Sequence, residues 1–410
     1  MPGMYWDDTH NKPIERADGR KRKPDGCFLA DHSAGLLWQN VAIAVEIKGD
    51  SMDGGHDLIR GQLLQDFIDM TEFLPRRFMI GLTLGRGSEV HLYVCVPSGI
   101  HIVFLSKLPL LHGTRPLPKR TGTVTEKNLV VKFLLFLHQQ FATDCGYLTG
   151  CDSTFPCDFR LSDIVGVLQK KSSVLRPSTI IRLNCAYDDT NSVLGRHGYL
   201  KGQRTWAYPA QYFHDKRDRP RNAFFKFQWA FDDEPEISVH QFVLDNGVPH
   251  VPKLLYTANI ESTGCDSNNQ KLKGEAIVME DVGISIKNAF YEDGLNMSEA
   301  KIIDIFAGYA HTLIAAAKVN NRRFVLHRDV SIGNLMVGHD GSPYVIDWGC
   351  GRVCTVYEQP RLAGKQMVGT AIYMGIRILT NCKTRSVIDD LEQGKKHVFK
   401  SNWSKERRTD

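Results

Sequence analysis

Residues 324–337 read "FVLHRDVSIGNLMV". Between two apolar runs the segment places His327, Arg328, Asp329 and then Asn334. Polar groups in such a setting must be paired or put to use, because an unpaired buried charge is expensive. The segment is therefore either a loop with a satisfied ion pair or the working part of an enzyme. Thirteen residues after Asn334, "VIDWGCG" sets a further acid, Asp347, at the end of an apolar strand, followed by Trp348 and Gly349. An imidazole, two carboxylates and an amide at this spacing are groups that transfer protons and offer hard oxygen donors to a cation.

The two segments resemble the catalytic loop of protein kinases, His-Arg-Asp followed by Asn, and their metal-binding Asp-Phe-Gly, with Trp348 in place of Phe. The resemblance implies phosphoryl transfer, which needs the terminal phosphate in line with a hydroxyl and its charge neutralised. It implies Asp329 as the group that orients the hydroxyl and accepts its proton. Asn334 and Asp347 would hold Mg2+ against the phosphates of ATP, and His327 and Arg328 would support the loop. Ser331 stands where many protein kinases carry a Lys, so one cation toward the transferred phosphate is missing.

Upstream, "AFFKFQWAF" (223–231) alternates apolar residues around Lys226, as a half-buried strand would. Ten residues on, Glu236 opens "EISVHQFVLDNGV". The pair resembles the kinase strand Lys that reaches nucleotide phosphates and the helix Glu that partners it. "AIVMEDVG" (276–283) resembles the hinge, where the backbone of Glu280 and Val282 would bond adenine. "LGRGSEV" (84–90) lies too far ahead of Lys226 to cover the phosphates and reads as a hairpin turn. The better-placed "YLKGQRTWAYPA" (199–210) holds only Gly202, so its backbone approaches phosphate less freely than a multi-glycine loop.

The region before this carries its own constellation. Pro24-Asp25 is followed by Glu46-Ile47-Lys48 at the end of "VAIAVEIK" (41–48), with Glu46 and Lys48 on one strand face. This resembles the restriction-endonuclease-like core, in which two acids bind magnesium and the Lys positions water. Gln62 fits a supporting position of some such nucleases. Taken together, residues 25–392 resemble the fungal-specific protein kinases, through "VEIK", "GQLLQDFIDM", "PRRFMIGLTL", "RDVSIGN", "VIDWG", "GTAIYM" and "VIDDLE". By that resemblance Thr370 would bond Asp329, and Asp389 or Asp390 would steady the catalytic loop.

The elements that must position these groups follow from pattern. The fold class expected is α+β: a bilobal kinase-like fold with a β-rich upper lobe (178–283) and an α-helical lower lobe (284–392), preceded by a small α/β domain (25–150). Residues 1–24 are charged and read as disordered, and 393–410 as a solvated tail. Helical spacing marks 58–74, 126–142, 234–245 and 298–319. In the last, Ile303, Phe306, Ala310, Leu313, Ile314 and Ala317 share a face. The pattern stops early in the lower lobe, as a truncated or degenerate kinase acting as a binding module would.

The composition, 42% hydrophobic and 24% charged, is that of a globular protein. A formal charge of +5 over 410 residues, with neither a basic stripe nor interleaved aromatics, argues against a nucleic-acid partner; the partners expected, a protein substrate and ATP, are those the kinase resemblance implies. The ten cysteines show no C-x-x-C spacing and read as free thiols in a reducing compartment. Neither of the longest apolar stretches suits a membrane span, so an intracellular location, cytoplasmic or nuclear, is expected.

Overall fold

The computed structural model describes residues 5–7, 9, 12–15, 21–30, 36–48, 55–71, 76–85, 89–96, 99–107, 146, 157–164, 167–183, 204–215, 218–230, 236–265, 271–291, 298–319 and 323–355. The chain divides into two compact units that interleave along the sequence. Residues 1–171, 175–231 and 258–276 form the first, and 172–174, 232–257 and 277–410 the second. The architecture is mixed α+β and strand-rich.

The first unit begins with β1 (Tyr5–Asp7), β2 (Ile14–Glu15), β3 (Lys21–Arg22), β4 (Gly26–Leu29) and β5 (Val41–Lys48). Then come α1 (Gly55–Thr71), β6 (Met79–Gly85), β7 (Glu89–Val96) and β8 (Gly99–Lys107). A six-stranded sheet takes the order β1-β4-β5-β6-β7-β8. Only a crossover can join parallel neighbours, and α1 is that crossover between β5 and β6, which pair in parallel. Its Leu63, Phe67 and Met70 pack on Val41 and Ala44 of β5 and on Met79 of β6. β6 and β7 pair antiparallel, with Leu84 opposite Val90; residues 86–88, in the stretch expected to turn, lie outside the described residues.

The stretch before residue 25, expected to be disordered, instead supplies β1, β2 and β3. Of its apolar residues, Ile14 is fully buried, and the half-exposed Trp6 stands edge-on to Phe28 at 5.0 Å. Arg22, which composition counts only as charge, bonds to α1 through Asp66 Oδ1 at 2.7 Å and the Gln62 carbonyl at 2.5 Å.

A second sheet comprises β9 (Cys157–Arg160), β10 (Val167–Ser173), β11 (Ile180–Leu183), β12 (Arg204–Phe213), β13 (Arg221–Ala230), β14 (Leu254–Cys265) and β15 (Lys271–Glu280). Its order is β10-β14-β15-β13-β12-β11-β9. β12 and β13 are an antiparallel hairpin with Ala207 opposite Lys226. The Trp206 indole N–H reaches back to the Thr71 carbonyl at the end of α1, at 2.8 Å.

The second unit contains α2 (Glu236–Asp245), β16 (Ile284–Ser285), α3 (Ile286–Tyr291) and α4 (Glu299–Ala317). After α4 come β17 (Arg323–Leu326), β18 (Leu335–Val337), β19 (Pro343–Val345) and β20 (Arg352–Thr355). α2 stops where the sequence "DNGV" supplies its terminator. Gly247 takes φ +67°, and the amides of Gly247 and Val248 return to the carbonyls of Leu244 and Val243 at 3.0 and 3.1 Å. This is the Schellman pattern, which glycine adopts without a Cβ penalty. α4 starts at Ser298, whose hydroxyl accepts the Lys301 amide.

The inward face of α4 differs from the expected stripe. Ile305, Tyr309, Thr312, Leu313 and Ala316 are buried, whereas Ile303 is 67% exposed and Ile314 36%. The helix carries apolar residues all round, so periodicity alone does not select a face. The polar atoms decide it. The Tyr309 hydroxyl donates to the Met336 carbonyl at 2.9 Å and the Thr312 hydroxyl to that of Gly308 at 3.0 Å, which lets both side chains go inside. Among the described residues this helix is long and apolar enough to cross a membrane, and its inner face lies in the core of the unit.

Cys27, Cys95, Cys350 and Cys354 are reduced and outside any disulfide. Cys157 is disulfide-bonded, which corrects the free-thiol expectation for that residue. Helix 126–142, Gly202, Thr370, Asp389, Asp390 and the 393–410 tail lie outside the described residues.

Candidate active site

The second unit brings the catalytic-loop candidates together by strand pairing. In the β18–β19 hairpin Leu335 lies opposite Val345. Asn334 therefore faces Ile346 at the open end, and the Ile346 amide donates to the Asn334 carbonyl at 3.0 Å. Asp347 is the next residue. Two sequence-distant oxygen donors thus arrive at one place because a short hairpin sits between them. On the other side, β17 pairs with β20, with Leu326 opposite Arg352. Residues 327–334 are the loop between these two ladders.

His327 ties the loop to the hairpin. It is buried, and its ring lies 4.6 Å from that of Trp348. Its Nδ1 accepts the Asp329 amide at 3.3 Å. Its Nε2 faces the Ile346 carbonyl at 2.9 Å. An amide can only donate and a carbonyl only accept, so these two contacts suit the tautomer with its proton on Nε2. Asn334 holds Asp329 from the other side: its Nδ2 donates to the Asp329 carbonyl at 2.9 Å and to the carboxylate Oδ2 at 3.3 Å. With Nδ2 committed to Asp329, Oδ1 is left as the acceptor end of the amide.

Backbone strain gathers at the same place. Among the described residues three non-glycines have positive φ: His250 (56°), Arg328 (69°) and Asp347 (63°). The left-handed region costs an L-residue about 1–2 kcal/mol, and such costs persist where the surroundings enforce them. Here they do: the His250 carbonyl accepts the Val345 amide at 2.9 Å. The Trp348 indole N–H reaches the Val345 carbonyl at 3.3 Å. After Asp347 the chain makes a 3-10 turn, Trp348–Cys350. α2 packs on this turn, and a Cβ at Gly351 would stand 2.9 Å from a Val239 methyl. Glu236, the first residue of α2, is 1% exposed, and His240 anchors the helix to the Pro252 carbonyl at 2.8 Å.

At the hinge candidate, the Glu280 amide donates to the Lys253 carbonyl at 3.1 Å, and its carboxylate accepts the Lys253 amide at 2.9 Å. Val282 is 8% exposed. Gly283 follows at φ +92°.

In the first unit Lys226 is 5% exposed on β13. The strand is buried on both faces from Phe225 to Trp229, where half-burial was expected. What permits this is polar pairing invisible to a hydropathy pattern: Gln228 donates to Glu275 at 2.8 Å, both buried.

The nuclease-like residues also converge in part. Asp25 precedes β4, and Gly26 pairs with Val45, so Asp25 meets the Glu46 end of β5. Its Oδ2 accepts the Ile47 amide at 2.7 Å. Glu46 is 2% exposed and hydrogen-bonds the carboxyl of Asp66 on α1. Asp69 and Arg22 complete the cluster, Arg22 Nε lying 3.8 Å from Asp69 Oδ2. Burial, with the neighbouring Asp69 charge, pushes the Asp66 carboxyl up to about 6 against the pull of Arg22. Glu46 stands out in the sequence as an acid at a strand end, whereas Asp66, Asp69 and Arg22 do not. The only sequence signal was acids three apart on the apolar side of a helix. Lys48 lies on β5, and its side chain is outside the described residues.

No protein-family model matches the chain, and no curated protein does.

Proposed function

We propose that the chain is an ATP-dependent protein kinase of the fungal-specific type, transferring the terminal phosphate of ATP to a Ser or Thr hydroxyl. The observation that carries this reading is the mutual fixing of Asp329, Asn334 and the Ile346–Trp348 segment through His327 and one amide side chain. Asp329 takes the proton of the attacking hydroxyl as its oxygen bonds to phosphorus and ADP leaves. Holding that carboxylate through its own backbone and through Asn334 fixes the acceptor before substrate arrives.

The donor set fits a magnesium ion. The Asn334 Oδ1 and the Asp347 carboxylate are hard oxygens on adjoining ends of one hairpin, and the cation would neutralise phosphate charge. Lys226 and Glu236 keep the roles the resemblance implies. The Glu280 carbonyl and Val282 amide serve adenine. The reading keeps the protein intracellular, where ATP is.

Transfer of labelled γ-phosphate from Mg-ATP to a Ser/Thr peptide library tests it. Incorporation that falls by about 10²–10⁴-fold in Asp329→Asn is expected. No incorporation by the parent chain leaves the binding-module alternative, a degenerate kinase, which Ser331 and the single Gly202 favour.

A second reading, a magnesium nuclease using Asp25, Glu46 and Lys48, is favoured by the approach of Asp25 to the Glu46 end of β5. It predicts magnesium-dependent nicking of supercoiled DNA that Glu46→Gln abolishes and Asp347→Ala leaves intact.

A further inference from the structure

The β12–β13 hairpin in the first unit ends in a cavity of about 430 Å³, lined in part by Tyr212, Phe213, His214, Asp218, Arg219 and Arg221. That volume lies within the range of small-molecule pockets, roughly 300–1,000 Å³. The hairpin register sets Arg221 opposite Tyr212, so their side chains share a sheet face. Arg219, Arg221 and His214 are exposed.

The charges around this cavity are unevenly satisfied. Arg182, stacked 5.3 Å from the Phe213 ring, is fully committed to Asp158 through two bonds of 2.7 Å. Asp218 closes the turn by accepting the Asp215 amide at 3.0 Å. Among the described residues neither Arg219 nor Arg221 has a carboxylate partner. His214 engages the Thr179 hydroxyl through Nδ1 at 3.1 Å, which leaves Nε2 without a partner among the described residues. The Tyr212 ring stands edge-on to His214 at 6.3 Å. The cavity therefore combines two uncommitted guanidinium forks, one imidazole nitrogen and aromatic surface.

We propose that this hairpin cavity binds a phosphate monoester carried on a flat ring. Guanidinium groups match phosphate oxygens bidentately, and they stack on planar groups more readily than an ammonium does. A bare phosphate would leave most of the volume unfilled, whereas a ring against Tyr212, on the sheet face it shares with His214 and Arg221, would occupy it. The ring can be a phosphorylated aryl group or a nucleobase, and the shared chemistry is an aromatic phosphate monoester.

Calorimetric titration of the full chain tests it, in chelator to exclude the magnesium-dependent site. The probes are phenyl phosphate, adenosine monophosphate and inorganic phosphate. The proteins are the parent, Asp347→Ala and the double variant Arg219→Ala/Arg221→Ala. Expected is binding of at least one ring-bearing probe, tighter than inorganic phosphate and unchanged in Asp347→Ala. The double variant should weaken it by about tenfold or more, with an unaltered melting temperature because both side chains are exposed. Whichever ring-bearing probe binds tighter identifies the source of the phosphate. No binding of either at millimolar concentration, or equal binding by the double variant, overturns the proposal.

Discussion

At the scale of residues, the account rests on a few side chains that hold one another. Asn334 makes two bonds to Asp329, one of them to the carboxylate. Asn334→Ala should lower stability by about 1 kcal/mol, the net worth of a partly exposed amide contact, while abolishing magnesium-dependent turnover. Urea unfolding beside a transfer assay separates the two effects. Trp348 is fully buried, and its indole N–H makes only a long bond. Trp348→Phe, which introduces the residue of the Asp-Phe-Gly motif this segment resembles, should cost about 1–2 kcal/mol and, on the proposed reading, keep nucleotide binding. Trp348→Ala should cost about 3–5 kcal/mol through the cavity it leaves. The loop was legible because its polar residues stand out against apolar neighbours. The Glu46–Asp66 contact was not, because the two carboxyls come from a strand and a helix that only the fold brings together.

At the scale of elements, turns are the most constrained points. Gly283 sits at φ +92°, and a Cβ there would stand 2.1 Å from the Val337 carbonyl oxygen. Gly283→Ala should destabilise the second unit by about 2–4 kcal/mol, since a backbone atom cannot swing aside. Gly61 is the contrast: it lies mid-helix in α1 with nothing within 4 Å of an added Cβ. Gly61→Ala should stabilise by about 0.5–1 kcal/mol. Thermal melts of the two variants read opposite signs. Strands and the start of α2 at Glu236 were readable from pattern. The face of α4 was not, because Tyr309 and Thr312 go inside by finding carbonyl partners, and hydropathy alone ranks Ile303 and Ile314 above them.

At the scale of the whole molecule, the buried acids of the first unit couple its stability to pH. The Asp66 carboxyl is raised from 3.8 to about 6 in the fold, so the folded chain holds a proton that the unfolded chain releases. Its contribution is complete below pH ~4 and is lost as pH rises through ~6. The shift corresponds to about 3 kcal/mol. Asp66→Asn cannot ionise. The stability difference, variant minus parent, should therefore grow in the variant's favour between pH ~4 and ~6 and level off above it. Equal pH slopes for the two proteins, followed by chemical denaturation, would contradict a carboxyl raised by burial at Asp66. Arg22 and Asp69 flank the pair and remain in both proteins.

The most direct test of the central claim is calorimetric or thermal-shift titration of the full chain with ATP, with and without Mg2+, beside Asp347→Ala. The account predicts stabilisation that requires magnesium and is lost in the variant, because in the proposed site Asp347 and Asn334 would supply the cation's oxygen donors. Stabilisation by ATP that is indifferent to magnesium and intact in Asp347→Ala would contradict it, as would no response from a cooperatively melting parent chain.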